Sequence, residues 1–172
     1  MPGDKYTPGD FAELMFPNYD DRADYKEHDD SLLPAWGVVT ADEITQQAHR
    51  DINNQPCLLV AKNGGTTDTT LGRANGLVSV KRTFAEYGIV EQDSLEIAVI
   101  FYGKGHSCFS YKGDSGSIVL TRDGKILGML NAGHGPTDET DVTYVTPFWW
   151  LLQRIKAKYP KAHLWPVNAG QN

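Results

Sequence analysis

Lys112-Gly113-Asp114-Ser115-Gly116-Ser117 sets a serine between two glycines, with an aspartate directly before it and the apolar run Ile118-Val119-Leu120 close behind. Glycines at these offsets allow a tight turn that presents a hydroxyl and neighbouring N–H groups to one point in space. Acyl transfer demands that geometry: an exposed nucleophile, and donors aimed at the oxygen that becomes negative. The same four residues also make ordinary turn chemistry, so the flanks decide between the two. Residues 117–120 read as a strand, Thr121-Arg122-Asp123-Gly124-Lys125 as a hairpin turn, and 126–130 as the returning strand. Asn131-Ala132-Gly133-His134-Gly135 opens a loop, residues 142–147 make one more strand, and a helix follows.

The elements that must position this turn lie upstream of it. Trp36-Gly37-Val38-Val39 has the content of a first strand, and 41–50 that of one or two helical turns ended by Asn53-Asn54-Gln55-Pro56. Residues 57–62 are a strand by apolar and β-branched content. The glycine- and threonine-rich stretch 63–76 suits a turn followed by an exposed strand with a bulge. Residues 77–80, 97–101 and 107–110 supply further strands, reaching roughly the six that one Greek-key barrel requires. In the last helix, 147–158, Phe148, Leu151, Leu152 and Ile155 fall at helical spacing and Pro147 suits the first turn, with Trp149 and Trp150 expected to pack on the barrel. The pattern predicts an all-β fold, a single antiparallel Greek-key β-barrel with a C-terminal α-helix over 36–160. Residues 1–35 read as an acidic arm or linker, with a short helix near 10–15 capped by Asp10, and 161–172 as a tail.

Composition narrows the function classes. A chain of 172 residues with 40% hydrophobic and 22% charged residues can bury a substantial core. Its formal net charge of −6, with no basic block read in it, argues against nucleic acid and anionic membranes as partners. No apolar run approaches a membrane span, and the start MPGDKYTPGD lacks a secretory signal. Both point to the cytoplasm, or to a chain from which a leader was removed. Nothing in the sequence suggests a metal site or cofactor.

Two motifs carry a resemblance. Gly113-Asp114-Ser115-Gly116 with its strand–turn–strand–helix sequel resembles the nucleophile loop of chymotrypsin-like (trypsin-fold) serine peptidases. Lys62, Gly64, Thr66, Thr67, Thr70 and Gly72, about fifty residues earlier, resemble a K-x-G-x-T-T-x-x-T-x-G signature of the compact bacterial and fungal members, allowing one residue of spacing. The resemblance covers 36–160, the second of that family's two barrels, so the fold it implies is half of a double barrel. It implies Ser115 as nucleophile, the N–H groups of Gly113 and Ser115 as oxyanion hole, and Asp114 buried and fixing the loop. It further implies Asn131, Ala132 and Gly133 pairing with an extended peptide or protein substrate, His134 on the wall of the cleft, and a pocket floor near Phe109. No acidic residue lies there, so an apolar substrate side chain is expected. The family's disulfide around the serine loop is absent, since no cysteine follows Cys108; Cys57 and Cys108 are expected as free thiols.

What the resemblance lacks is a base. No alanine-glycine-histidine-cysteine box precedes the barrel, and without a base a serine hydroxyl is a poor nucleophile. His28 stands in Glu27-His28-Asp29-Asp30, a polar run whose members face solvent. His106 lies in the approach to the serine turn, and His49 and His163 read as ordinary surface residues, the former in a helix. Two functions remain open. One is a serine-endopeptidase-like domain whose His/Asp barrel is absent from this chain, either carried on another chain or removed; the alternative is an inactive lone barrel that binds peptides or proteins.

Overall fold

The computed structural model describes residues 6–25, 33–83, 92–104, 108–134 and 142–164. Along the chain run α1 (Pro8–Met15), α2 (Tyr19–Asp24), α3 (Ala41–Gln46), β1 (His49–Arg50), β2 (Pro56–Gly64), β3 (Asp68–Thr83), β4 (Gln92–Phe101), β5 (Ile118–Thr121), β6 (Ile126–His134), β7 (Val142–Pro147) and α4 (Phe148–Lys158). The strands form one antiparallel sheet in the order β1-β2-β3-β4-β7-β6-β5, and β5 pairs back onto β2. β2 to β7 therefore close a six-stranded antiparallel barrel, with β1 as an extra strand. The run β5-β2-β3-β4 is a Greek key: three consecutive strands, and a fourth returning beside the first. The returning connection, residues 102–117, carries the serine turn.

The hydrophobic alternation of β7, buried at every second residue, is that of a strand with one face on a core. Leu58, Val60, Ala74, Ile97, Val99, Phe109, Val119, Leu127 and Val145 fill the barrel. β2 departs from alternation, because it is buried on both faces. Cys57, Leu59 and Ala61 point the other way, into a second core made with Leu71, Tyr102 and the N-terminal residues Tyr6, Phe11, Leu14, Met15 and Phe16.

This second core revises the reading of the N-terminal stretch as an arm or linker. Residues 6–16 form an apolar layer over the outer face of β2 and β3. α1 starts at Thr7 rather than Asp10: the Thr7 hydroxyl accepts from the Asp10 N–H while the Asp10 carboxylate accepts from the Thr7 N–H, with Pro8 in the first turn. Lys104 pairs with Asp10 at 2.6 Å, and Arg122 reaches both Asp21 and the Met15 carbonyl.

Four smaller expectations change. Residues 36–39 do not form a strand; Val38 makes a single parallel bridge to Ile126, while the Trp36 N–H donates to the Gly124 carbonyl. Residues 69–80 belong to one long strand, β3, with a register shift between Ala74 and Val78. Residues 108–110 are irregular, since Phe109 and Ser110 tie the crossover to the barrel instead of extending a ladder. On α4, Phe148, Trp149, Leu151 and Leu152 are half-buried on the barrel side, but Trp150 is exposed beneath the Arg154 guanidinium. Among the described residues no helix is long and apolar enough to cross a membrane.

If the N-terminal layer is part of the folded core, truncating its central aromatic must be felt globally. Phe11→Ala should destabilise the protein by about 3 kcal/mol, whereas Tyr19→Ala, on the exposed side of α2, should change stability by less than about 0.5 kcal/mol. Urea unfolding of both variants measures the difference.

Candidate functional site

The serine turn is built from below. Asp114 is fully buried, as is Lys62 on β2, whose ammonium lies 3.1 Å from the Asp114 Oδ2. Lys62 can reach because β2 pairs with β5 at Lys62↔Val119, just beyond the end of the turn. The rest of the carboxylate is satisfied by the β2–β3 hairpin. Thr66 and Thr67 donate backbone N–H groups to Oδ1 at 2.8 and 3.2 Å, and the Thr67 hydroxyl donates to Oδ2 at 2.7 Å. Tyr111 N–H adds a bond to Oδ2 at 3.0 Å from within the turn itself. Burial alone would raise the Asp114 pKa, but the bonds from Thr67, Tyr111, Thr66 and Lys62 outweigh it and hold the carboxyl far below its ordinary range.

The two sequence motifs are thus one physical unit. Gly64 has no room for a side chain: a Cβ there would lie 2.4 Å from Asp114 Oδ1. The Thr66 hydroxyl donates to the Lys112 carbonyl at 3.0 Å, and the Thr70 hydroxyl to the Phe109 carbonyl at 2.6 Å. Gly113 sits at φ +107°, with Thr66 Oγ1 where its Cβ would be, so both backbone conformation and space require glycine. Lys62, Gly64, Thr66, Thr67 and Thr70 were legible as a pattern, yet their task, holding the serine turn, is visible only in three dimensions.

Above Asp114 the turn is tight. The Asp114 N–H donates to Tyr111 O, the Ser117 N–H and hydroxyl donate to Asp114 O, and the Gly116 N–H donates to Leu130 O. Ser115, Gly113 and Gly116 are exposed at the surface. Among the described residues the N–H groups of Gly113 and Ser115 have no acceptor, and the Ser115 hydroxyl has no hydrogen-bond partner. Two unengaged amides thus flank an exposed hydroxyl.

Beside the turn runs β6. β5 pairs with it only as far as Ile118↔Met129, and the Leu130 N–H donates to Ser117 O. From Asn131 to His134 it keeps its partner β7, as in Gly133↔Thr143, but has no strand on the β5 side among the described residues. Asn131 and Gly133 are exposed and Ala132 half-buried along this edge; of His134 the backbone alone is described. Glu96 was missed by sequence reasoning. It is fully buried on β4 and accepts from the Asn131 side chain at 3.1 Å and the Thr146 hydroxyl at 2.8 Å, fixing the start of the open edge. Its signal was a lone carboxylate inside the apolar run Leu95-Glu96-Ile97-Ala98-Val99-Ile100.

Other expected residues lie elsewhere. Phe109 is not a pocket floor but part of the barrel core, fully buried with its ring against Gly72 and below the Lys62 ammonium. With it goes the expectation of an apolar substrate side chain, which rested on that floor. His49 is neither helical nor superficial: it is buried on β1, where Nδ1 accepts the Leu59 N–H at 3.0 Å. Its Nε2 must therefore carry the proton that is shared with the Asp123 carboxylate at 2.7 Å. This His–Asp pair sits beyond the far end of β5, on the order of 13 Å of strand from the serine turn, and serves the hairpin. Its N–H, against the cost of burial, lowers the Asp123 pKa. His163 is exposed beyond α4, and His28 and His106 lie outside the described residues. Both cysteines are free, with burial pushing the Cys57 thiol up. Among the described residues no group of three or more His, Cys, Asp or Glu side chains could hold a metal ion.

Fold and site together define an antiparallel Greek-key barrel whose crossover presents a serine, braced on a buried lysine–aspartate pair. Compared with models of protein families and with curated proteins, the chain matches none.

Removing one partner of the buried pair leaves the other charge uncompensated, so Lys62→Met and Asp114→Ala should each cost about 3–5 kcal/mol. Because the folded-state pKa of Asp114 is depressed, its contribution is fully present above the ordinary carboxylate range near 3.8 and is lost as pH falls through and below it. Urea midpoints between pH 7 and pH 3 should fall for the wild type, and fall less steeply in Asp114→Ala.

Proposed function

We propose that this barrel is the serine-bearing half of a serine endopeptidase of the chymotrypsin-like kind, with Ser115 as nucleophile and the N–H groups of Gly113 and Ser115 as oxyanion hole. The observation that carries this reading is the pair of unengaged amides beside an exposed serine, on a turn that Asp114 and the Thr66-Thr67 hairpin hold rigid from below. Preorganised donors of this sort are worth about 3 kcal/mol each to a developing oxyanion. The open edge of β6 beside the turn suits an extended peptide added as a further strand.

As an isolated chain the protein cleaves peptides weakly or not at all, since no base touches Ser115 among the described residues. A triad works as a unit, and losing one member forfeits about 10⁴- to 10⁶-fold in rate. A first-barrel domain on another chain would supply the base. Ile118, exposed immediately after the turn, gives such a domain an apolar contact beside the nucleophile. The second reading, a barrel that only binds extended peptides, draws on the same open β6 edge, which needs no base to work.

Two reagents separate the readings. A fluorophosphonate should label Ser115 slowly in the pure protein, and a peptide boronic acid should bind the wild type on the order of 10²-fold more tightly than Ser115→Ala, as transition-state analogues do. Labelling that persists in Ser115→Ala, or equal boronate affinity for the two proteins, would sink the peptidase reading and leave the binding module.

A further inference from the structure

The charge of this chain is segregated in a way that its net value hides. No acidic residue follows Asp141, while Arg154, Lys156, Lys158 and Lys161 cluster at the end of α4 and the turn beyond it, leaving 12 basic against 22 acidic residues in the rest of the chain. Elsewhere six of the ten described lysines and arginines, Lys62, Arg73, Arg82, Lys104, Arg122 and Lys125, sit in ion pairs. Among the described residues none of the four terminal cations has a carboxylate partner. The negative end of the helix dipole, about half a charge, accounts for one or two of them. It does not account for Lys161, which lies past the helix.

The same end of α4 is apolar where it should be covered. Phe148, Leu151 and Leu152 are half-buried against the barrel, but Ile155, one turn further on the same face, is 42% exposed, and Tyr159 is 59% exposed. Leu164 is exposed beyond them. The last turn of the helix is exposed, and its apolar stripe continues there between Arg154, Lys156 and Lys158.

We propose that the segment from Arg154 to Leu164 docks on the surface of a membrane carrying anionic phospholipid. Aliphatic and aromatic groups below a ring of lysines and arginines match the layering of such a surface, with the cations at the phosphates and Tyr159 at headgroup level. A nucleic acid fits less well. The Arg154 guanidinium and the Lys158 ammonium lie over the Trp150 and Tyr159 rings, each 5.7 Å from the centroid, so those faces are not open platforms for bases. Ile155 and Leu164 offer a phosphate backbone nothing. The site is independent of Ser115.

Co-sedimentation of the full chain with vesicles tests this. The protein should bind phosphatidylcholine vesicles containing phosphatidylserine, fail to bind phosphatidylcholine alone, and release as salt is raised. Arg154→Gln, Lys156→Gln, Lys158→Gln and Lys161→Gln together should weaken binding by on the order of 10²-fold or more, while Ser115→Ala binds as the wild type does. The four sites are exposed, and circular dichroism checks the fold; if the combined variant unfolds, Arg154→Gln and Lys161→Gln alone should each weaken binding several-fold. The proposal is overturned if phosphatidylserine vesicles are not bound, if the neutralised variants bind equally well, or if single-stranded DNA is bound as tightly as the vesicles.

Discussion

A carboxylate with no access to water governs the architecture of this protein. Burying Asp114 is costly unless every lone pair is engaged and the charge is countered. Here five donors do so: the Lys62 ammonium, the Thr67 hydroxyl, and the N–H groups of Thr66, Thr67 and Tyr111. Those donors come from two segments distant in sequence, so satisfying one side chain joins the β2–β3 hairpin to the crossover between β4 and β5. The carboxylate sits below the serine, and its own backbone carbonyl takes both the N–H and the hydroxyl of Ser117. With Asp114 held, the turn above it has little freedom left.

The topology explains why the crossover carries an exposed turn on a rigid base. A Greek key must send one connection past the hairpins to reach the first strand, and this one leaves β4 and arrives at β5 beside β2. It is too long to be a hairpin turn and too constrained to wander. Phe109 plugs into the barrel, Ser110 shares a 2.6 Å hydrogen bond with Thr143, and Asp114 is clamped. At the peak of the turn Lys112, Gly113, Ser115 and Gly116 are exposed. Rigid support with an exposed summit is how loops carry function on a barrel. The β6 strand reaches its open end at the same rim, so the exposed serine and a strand edge lie together.

Two layers outside the barrel complete the molecule and differ in kind. The N-terminal layer is apolar inside and pinned by ion pairs outside, from Lys104 to Asp10 and from Arg122 to Asp21. Phe11, Leu14, Met15 and Phe16 on it are all buried. α4 is the opposite. It has no fully buried residue, its cations have no carboxylate partner among the described residues, and its last turn is exposed. One layer belongs to the core; the other faces outward.

Much of this was legible from residue order. The strand–turn–strand–helix sequel to Ser115 and the barrel class follow from local chemistry, because alternation, turn glycines and helical spacing are short-range signals; the burial of Asp114 was implied only by the resemblance that the two motifs carry. The meeting of the motifs was not legible as a mechanism, since nothing local says that a lysine at 62 and an aspartate at 114 share a hydrogen bond. The N-terminal layer left only an indirect trace. Cys57-Leu58-Leu59-Val60-Ala61 is continuously apolar, as a strand buried on both faces must be, yet the sequence does not say what covers the second face. His49 was misjudged for a related reason: a polar side chain in a short polar stretch looks exposed until the turn at Asp123 and the Leu59 N–H arrive from other strands to satisfy it. Phe109 likewise was assigned by its offset from Ser115, while the vacant space beside Gly72 drew its ring into the core. Sequence alone determined most of the barrel strands and the turns that join them. Tertiary structure decided which buried polar groups found partners, because those partners come from distant segments and the cost of leaving them unpaired is felt only once water is gone.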